Sequence, residues 1–473
     1  MKKLHDFLLE HASKNPISFH MPGHKGSKIY RRFGYDDFLK NIMDCDVTEI
    51  PGADNLFQAE GVLKEVQDLY ADLYDVKHSY IQINGTSGGL IAAILASVRP
   101  GKKLILARNC HKCVFNALSL GNIQPVYAYP QTMEQYNISG EISVSEIEEK
   151  IKENPDSDAI LLPSPNYYGI CSDIESIAKL AHEHGKVLIV DQAHGAHLKF
   201  FSKFGIDKFP KSAEESGADI VVNSIHKTLA SYTQSAILNL NSDKVNPVTL
   251  EDKLQAIEST SPSYILMSSL SINADILMNH GKEIMQEWSD LVDYTYANAS
   301  CVRDLELFGR TPNLDATKIN FRFSPGIIPG NYIEDYLMDN HNIFIELYTG
   351  NYVMCMTGIG NTQKDIQALL KGLSDVRESV DDDKFKEIKH ENDIKAFAKA
   401  EIYPLPIKKK WHPLKDSTGA ICASSLIPYP PGIPLVCPGE KLTPQVIDYI
   451  IELRDRGEKV IGVNKDYEIL VGS

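Results

Sequence analysis

The sequence predicts an α/β fold, with a mainly parallel sheet covered by helices on both faces, a smaller α+β domain and a C-terminal module. Three observations carry this. From about Lys77 to Leu240, short β-branched runs alternate with helical patterns. Several of those runs are apolar at consecutive positions, as strands buried on both faces must be. The helices between them have readable ends: Ser172–Asp173 opens the helix SDIESIAKLAHEHG and Gly185 closes it just before the next strand.

In order, the strand candidates are Ser79–Ile83, Lys103–Ala107, Pro125–Tyr129, Ala159–Leu162, Val187–Val190, Ile220–Asn223 and Ser235–Leu240. A long helical pattern around Leu291–Phe308 reads as a linker helix into the smaller unit, whose strands are Lys318–Phe323 and Cys355–Met356. The acidic Asp381–Asp383 marks a solvated boundary. Beyond it Pro404, Pro406, Pro413 and Pro428–Pro434 define a proline-rich module that cannot be one long helix. The boundaries are therefore an N-terminal segment 1–50, a large domain 51–295, a small α+β domain 296–380 and a C-terminal module 381–473.

The 473 residues are enough for several cores, and 43% hydrophobic with 23% charged residues is ordinary for a soluble globular chain. A net charge of −15 argues against nucleic acid as a partner, since phosphate contacts need clustered Lys and Arg. No apolar run approaches a membrane span, and the N-terminus alternates charged and apolar residues instead of forming a signal-peptide core. Eight cysteines without framework spacing read as reduced thiols, so a cytoplasmic location is expected.

Three segments fall where strands end, the place at which open α/β sheets bind ligands. Asn84-Gly85-Thr86-Ser87-Gly88-Gly89 lies between a strand and the helix LIAAILASV, where small residues and free N–H groups suit an anion. It is neither a nucleotide P-loop nor G-x-G-x-x-G, and by itself it reads equally as a plain tight turn. Val190-Asp191-Gln192-Ala193-His194-Gly195 is a buried strand ending in a carboxylate, which needs a partner such as a protonated pyridine nitrogen or else caps the next turn. Asn223-Ser224-Ile225-His226-Lys227-Thr228 offers a lysine suited to a Schiff base; alone it would pass for surface charge. The three in this order, with Lys227 lying 36 residues beyond Asp191, are far more specific than any one.

Together these segments resemble those of fold-type-I pyridoxal-phosphate enzymes, the aspartate-aminotransferase-like fold. Further stretches narrow the resemblance to the Orn/Lys/Arg decarboxylase family: His20-Met21-Pro22-Gly23-His24-Lys25-Gly26, Asp46-Val47-Thr48-Glu49-Ile50-Pro51-Gly52, Arg108-Asn109-Cys110-His111-Lys112 and Pro428–Pro434. They span nearly the whole chain, whose length matches the family's short form. The resemblance implies that Lys227 carries pyridoxal phosphate, Asp191 pairs with the pyridine nitrogen and Ala193 packs on the ring. It places His111 over the other ring face and His194 near the phenolic oxygen or the substrate carboxylate. It gives the phosphate to Thr86, Ser87, Gly88, Ser224 and His226. Ser259-Thr260-Ser261-Pro262 resembles a segment that reaches a partner subunit's phosphate, with Thr260 as the cofactor-side residue, which implies at least a homodimer. The implied reaction is decarboxylation of a basic L-amino acid, arginine first, then lysine or ornithine.

Other readings compete. Cys110-His111-Lys112-Cys113 is a C-x-x-C, but no second pair completes a zinc site; His20/His24 and His194/His197 lack a metal-helix context, so no metal is expected. Gln192 stands where many relatives have Glu, and Ser424 where many have a Glu that could read a cationic substrate. An aminotransferase would use a small-domain arginine, for which Arg322 is the candidate. A cofactor-binding protein without turnover is the reading from outside enzymes.

Overall fold

The computed structural model describes residues 3–136, 138–324, 327–381, 401–429, 434–455 and 457–472. The large sheet has seven strands: β1 (His78–Gln82), β2 (Lys103–Ala107), β3 (Gln124–Ala128), β4 (Ser157–Pro163), β5 (Val187–Asp191), β6 (Ile220–Asn223) and β7 (Ala236–Leu240). Their spatial order is β1-β7-β6-β5-β4-β2-β3. All are parallel except β7, which runs antiparallel to both β1 and β6. The apolar runs behave as predicted: Leu104, Ile105, Leu161 and Ile189 are completely buried. The helix Ile174–Glu183 begins where expected, with the Asp173 side chain accepting from the Ser176 N–H, and Gly185 sits past its end at φ +66°.

Two expectations need correction or narrowing. The long helix starts at Tyr264, not near Leu291, and ends at Asn298; Leu305–Leu307 is a strand. The helical periodicity upstream was obscured because Ser269, Asn273 and Ser289 are polar yet fully buried on the packed face. The strand expected at Cys355–Met356 begins earlier, at Tyr352. It belongs to a four-stranded antiparallel sheet with Leu305–Leu307, Lys318–Phe323 and Leu347–Thr349.

The N-terminal segment joins this smaller unit, Ile17–Ser18 pairing in parallel with Ile343–Phe344. One hydrophobic cluster fills the large sheet and its helices, including Leu106, Leu161 and Val221. A second ties Phe19, Tyr70, Trp288 and Phe321 together across the N-terminal segment, the long helix and the small sheet. A third, with Leu414, Ile450 and Val471, is the core of the C-terminal module. That module pairs Lys409–Pro413 with Glu468–Gly472 and Ile427–Tyr429 with Lys459–Ile461, around the helix Pro444–Asp455. Positions 382–383 of the acidic boundary and 430–433 of the proline motif lie outside the described residues.

Arg108, just past β2, fixes the module to the large sheet. Its guanidinium makes a two-point contact with Glu440 (Nε–Oε1 3.0 Å, Nη2–Oε2 2.9 Å) and donates to the Pro434 and Leu435 carbonyls. Planar bidentate geometry of this kind is what a buried ion pair requires.

Candidate active site

Three segments converge at the carboxyl ends of the strands. After β1, Gly85 takes φ +67° and the chain turns directly into the helix Gly85–Ser97. Gly89 is there for packing, since a Cβ on it would meet Val222 Cγ1 of β6 at 2.8 Å. The first turn of this helix lies beside the Lys227 turn, with Thr86 Oγ1 3.2 Å from Ser224 Oγ. Free N–H groups at a helix start, together with hydroxyls, form an anion cradle.

Asp191 ends β5 and is 7% exposed. Burial pushes its carboxyl pKa up, while Lys227 and the Ala193 N–H, which donates to Oδ1 at 3.1 Å, oppose the rise. Lys227 sits in the single turn Ile225–Thr228 that follows β6. Burial lowers its pKa, against the charges of Asp191 and then Glu346. Its Nζ lies 3.0 Å from His194 Nε2. His194 is 8% exposed and kept neutral by burial first and the Lys227 charge second. Its other ring nitrogen, Nδ1, is buried without a hydrogen-bond partner among the described residues.

His226 turns its Nδ1 to the Ser235 carbonyl at 2.9 Å, and burial brings its pKa down to about 4. His111 caps the helix Lys112–Gly121, its Nδ1 accepting from the Cys113 N–H at 3.4 Å. In the single chain its ring is exposed, although desolvation by surrounding protein and the nearby Lys227 bring its pKa down to about 4. Thr260 is exposed in its own chain.

The His20–Gly26 motif is scaffolding for the lysine turn. The Gly23 N–H donates to the His226 carbonyl, the Gly360 N–H to Gly23, and the Ile359 N–H to Thr228. A Cβ on Gly23 would stand 2.2 Å from the Thr228 carbonyl carbon, so only glycine allows this backbone stack.

Sequence reasoning missed several residues. Tyr167, in the loop after β4, packs its ring 4.6 Å from His194 and donates its hydroxyl to Glu346 Oε1 at 2.7 Å. The strand-end rule that found the other segments applies equally to this loop. Lys318 and Asp315 are completely buried; Lys318 Nζ donates to the His194 carbonyl at 2.7 Å and to Asp315 Oδ2 at 2.6 Å. No local pattern signals that a strand lysine will be enclosed. Arg322 does not serve the site as considered for an aminotransferase: it is bound by Glu306 at 2.9 and 3.1 Å and by the Gln135 carbonyl. Among the described residues the Ser424 hydroxyl has no hydrogen-bond partner, and the Cys422 thiol donates to its carbonyl.

Pyridoxal phosphate fits this donor set. A buried amine, a buried carboxylate with no ion pair among the described residues, an imidazole nitrogen without a hydrogen-bond partner among them and an anion cradle match its aldehyde, pyridinium, ring substituents and phosphate. Sheet order and site together define an enzyme of the aspartate-aminotransferase-like fold, fold type I of the pyridoxal-phosphate enzymes. The alanine–glyoxylate aminotransferase of Nostoc sp. has the same fold, with a TM-score of 0.52 at 14% identity over 67% of this chain and 86% of that one.

The Orn/Lys/Arg decarboxylase major-domain model matches residues 3–295, and the C-terminal-domain model of the same family matches 396–470. The chain belongs to the Orn/Lys/Arg decarboxylase family and is a pyridoxal-phosphate-dependent amino-acid decarboxylase. It is 30% identical to the arginine decarboxylase of Bacillus subtilis, across 97% of this chain and 95% of the relative. The lysine decarboxylase of Francisella novicida superposes with a TM-score of 0.76 at 21% identity, covering 95% and 78% of the two chains. Among the described residues no helix is long and apolar enough to cross a membrane.

Proposed function

We propose that this enzyme decarboxylates arginine, with lysine and ornithine as the next candidates, and holds pyridoxal phosphate on Lys227. The observation that carries the reading is the Lys227–His194 contact at 3.0 Å with a buried Asp191 acting on the same lysine, on a turn that Thr86 of the Gly85–Ser97 helix touches at Ser224. The choice of arginine rests on the similarity to enzymes named for it. When bound, the cofactor supplies an electron sink for the pair left behind as CO2 departs.

The chain's own residues do the rest. Asp191 would keep the pyridine nitrogen protonated, the strongest use of a buried carboxylate there. Thr86, Ser87, Gly88 and Ser224 would hold the phosphate, with His226 bracing the same turn. Ala193 and His111 would enclose the ring. Burial keeps Lys227 easier to deprotonate than a surface lysine, as Schiff-base formation needs. His194 Nε2 then shares a proton with Nζ, and either group can return one to the substrate Cα. Lys318 and Asp315 hold the His194 backbone from the small-sheet side. The active unit is a homodimer in which Thr260 of each chain serves the other's phosphate.

The test is a screen of arginine, lysine and ornithine for CO2 release with added cofactor, identifying the amine formed. Wild-type protein should absorb in the visible range of a protonated Schiff base and Lys227→Ala should not. An unchanged spectrum in the variant removes the assignment of Lys227; CO2 from none of the three amino acids removes the substrate class.

A further inference from the structure

A site for a basic amino acid needs an anion to receive the distal cation, and Ser424 cannot supply one. Two carboxylates act on Lys227 electrostatically, and the first, Asp191, has its task within the large domain. The second is Glu346, on the small-unit side between Ile343–Phe344 and Leu347–Thr349. A chain of contacts links it to the reacting lysine: Lys227 Nζ to His194, the His194 ring to the Tyr167 ring, and the Tyr167 hydroxyl to Glu346 Oε1. The Met21 N–H donates to its other oxygen, Oε2, at 3.1 Å. Two neutral donors therefore fix the orientation of this carboxylate without cancelling its charge.

Nor is the charge consumed by an ion pair. Among the described residues no Lys, Arg or His side chain lies within ion-pair distance of Glu346. The nearby Lys25 satisfies its ammonium on the His20 and Met356 carbonyls instead. A carboxylate offers about four acceptor positions, so two remain after Tyr167 and Met21. Glu346 is partly exposed.

We propose that Glu346 receives the cationic end of the substrate side chain, oriented by Tyr167 and the Met21 N–H. This deepens the reading of the enzyme as a basic-amino-acid decarboxylase and rests on it. Citrulline is the discriminating probe, because it keeps the shape of arginine and replaces the guanidinium with a neutral urea.

The experiment measures kcat and KM for arginine in the cofactor-loaded wild type, Glu346→Gln, Glu346→Asp and Tyr167→Phe, with citrulline as substrate or competitive inhibitor. In Glu346→Gln, kcat/KM for arginine should fall on the order of a hundredfold, mainly through KM, while the citrulline constant changes by less than about threefold. Glu346→Asp should restore part of the preference for the cation. Tyr167→Phe keeps the charge but frees its orientation, so arginine KM should rise several-fold without a matching citrulline effect. This arm stands even if Glu346→Gln fails to load cofactor. An unchanged arginine-to-citrulline preference in these variants, or an equal loss of both ligands, overturns the assignment. If the wild type itself releases CO2 from no basic amino acid, the substrate reading fails and this inference with it; that outcome is visible before any variant is made.

Discussion

At the scale of single residues the site is a set of groups moved from their ordinary protonation by burial. Asp191 illustrates the consequence. Asp191→Asn should still take up cofactor and show its visible band, yet lose roughly a thousandfold or more in turnover, because a neutral amide no longer stabilises the protonated ring. Turnover near the wild-type value would mean the carboxylate only caps the turn at Ala193. Glu258 gives a second test, in stability. It is 6% exposed, accepts from the Ile83 N–H through Oε2 and has no partner for Oε1 among the described residues. Burial moves its pKa from 4.5 up to about 7. Between those values the folded chain keeps a proton that the unfolded chain has released, so its stability contribution is complete below pH 4.5 and lost as pH rises through 7. Glu258→Gln should flatten this slope in urea unfolding of the cofactor-free protein at fixed concentration. At pH 8 it should gain up to about 3 kcal/mol over wild type. Parallel pH curves for the two proteins would show that Glu258 does not titrate in this range.

At the scale of elements, the reactive lysine depends on a backbone stack. Gly23, the Thr228 peptide and the Gly358–Gly360 stretch touch directly, binding the N-terminal segment and the small unit to the turn that carries Lys227. Gly23→Ala should therefore cost about 1–3 kcal/mol or more in stability and lower activity with it, since the Lys227 turn must move. Gly26 is the control: a Cβ there meets nothing within 4 Å, and its φ of +100° alone sets the cost. Gly26→Ala should lose about 1–2 kcal/mol and keep kcat. Thermal melts paired with CO2-release assays separate the two, and equal activity losses would show that contact with Thr228 is not what matters.

At the scale of the whole molecule, Thr260 and His111 are both exposed in the single chain, and the proposed homodimer, with Thr260 serving the other chain's site, makes a testable prediction. Lys227→Ala and Thr260→Glu should each be inactive alone. Mixed under conditions of subunit exchange, they should recover part of the activity, because one site per mixed dimer has both residues intact. Dilution should weaken cofactor retention and activity together by mass action. A fully active monomer in sedimentation at assay concentration would refute shared sites. Within one chain, the buried Arg108–Glu440 pair links the C-terminal module to the strand end that leads to His111.

The sequence by itself determined the main sheet, because its strands are short, β-branched and apolar on both faces, and it determined the three strand-end segments that meet at Lys227. Seven strand candidates lie within a residue or two of β1–β7. Local pattern suffices there, since short, β-branched, mostly buried runs bounded by turn signals favour strands over helices. It misplaced the start of the long helix because buried polar residues such as Asn273 break the apolar stripe. Only the tertiary structure decided that Arg322 is engaged by Glu306, that Lys318 is enclosed beneath His194, and that Glu346 turns toward the lysine through Tyr167. Those facts depend on which surfaces meet across separations of 16, 124 and 179 residues, and no local periodicity encodes the partner of a charged side chain.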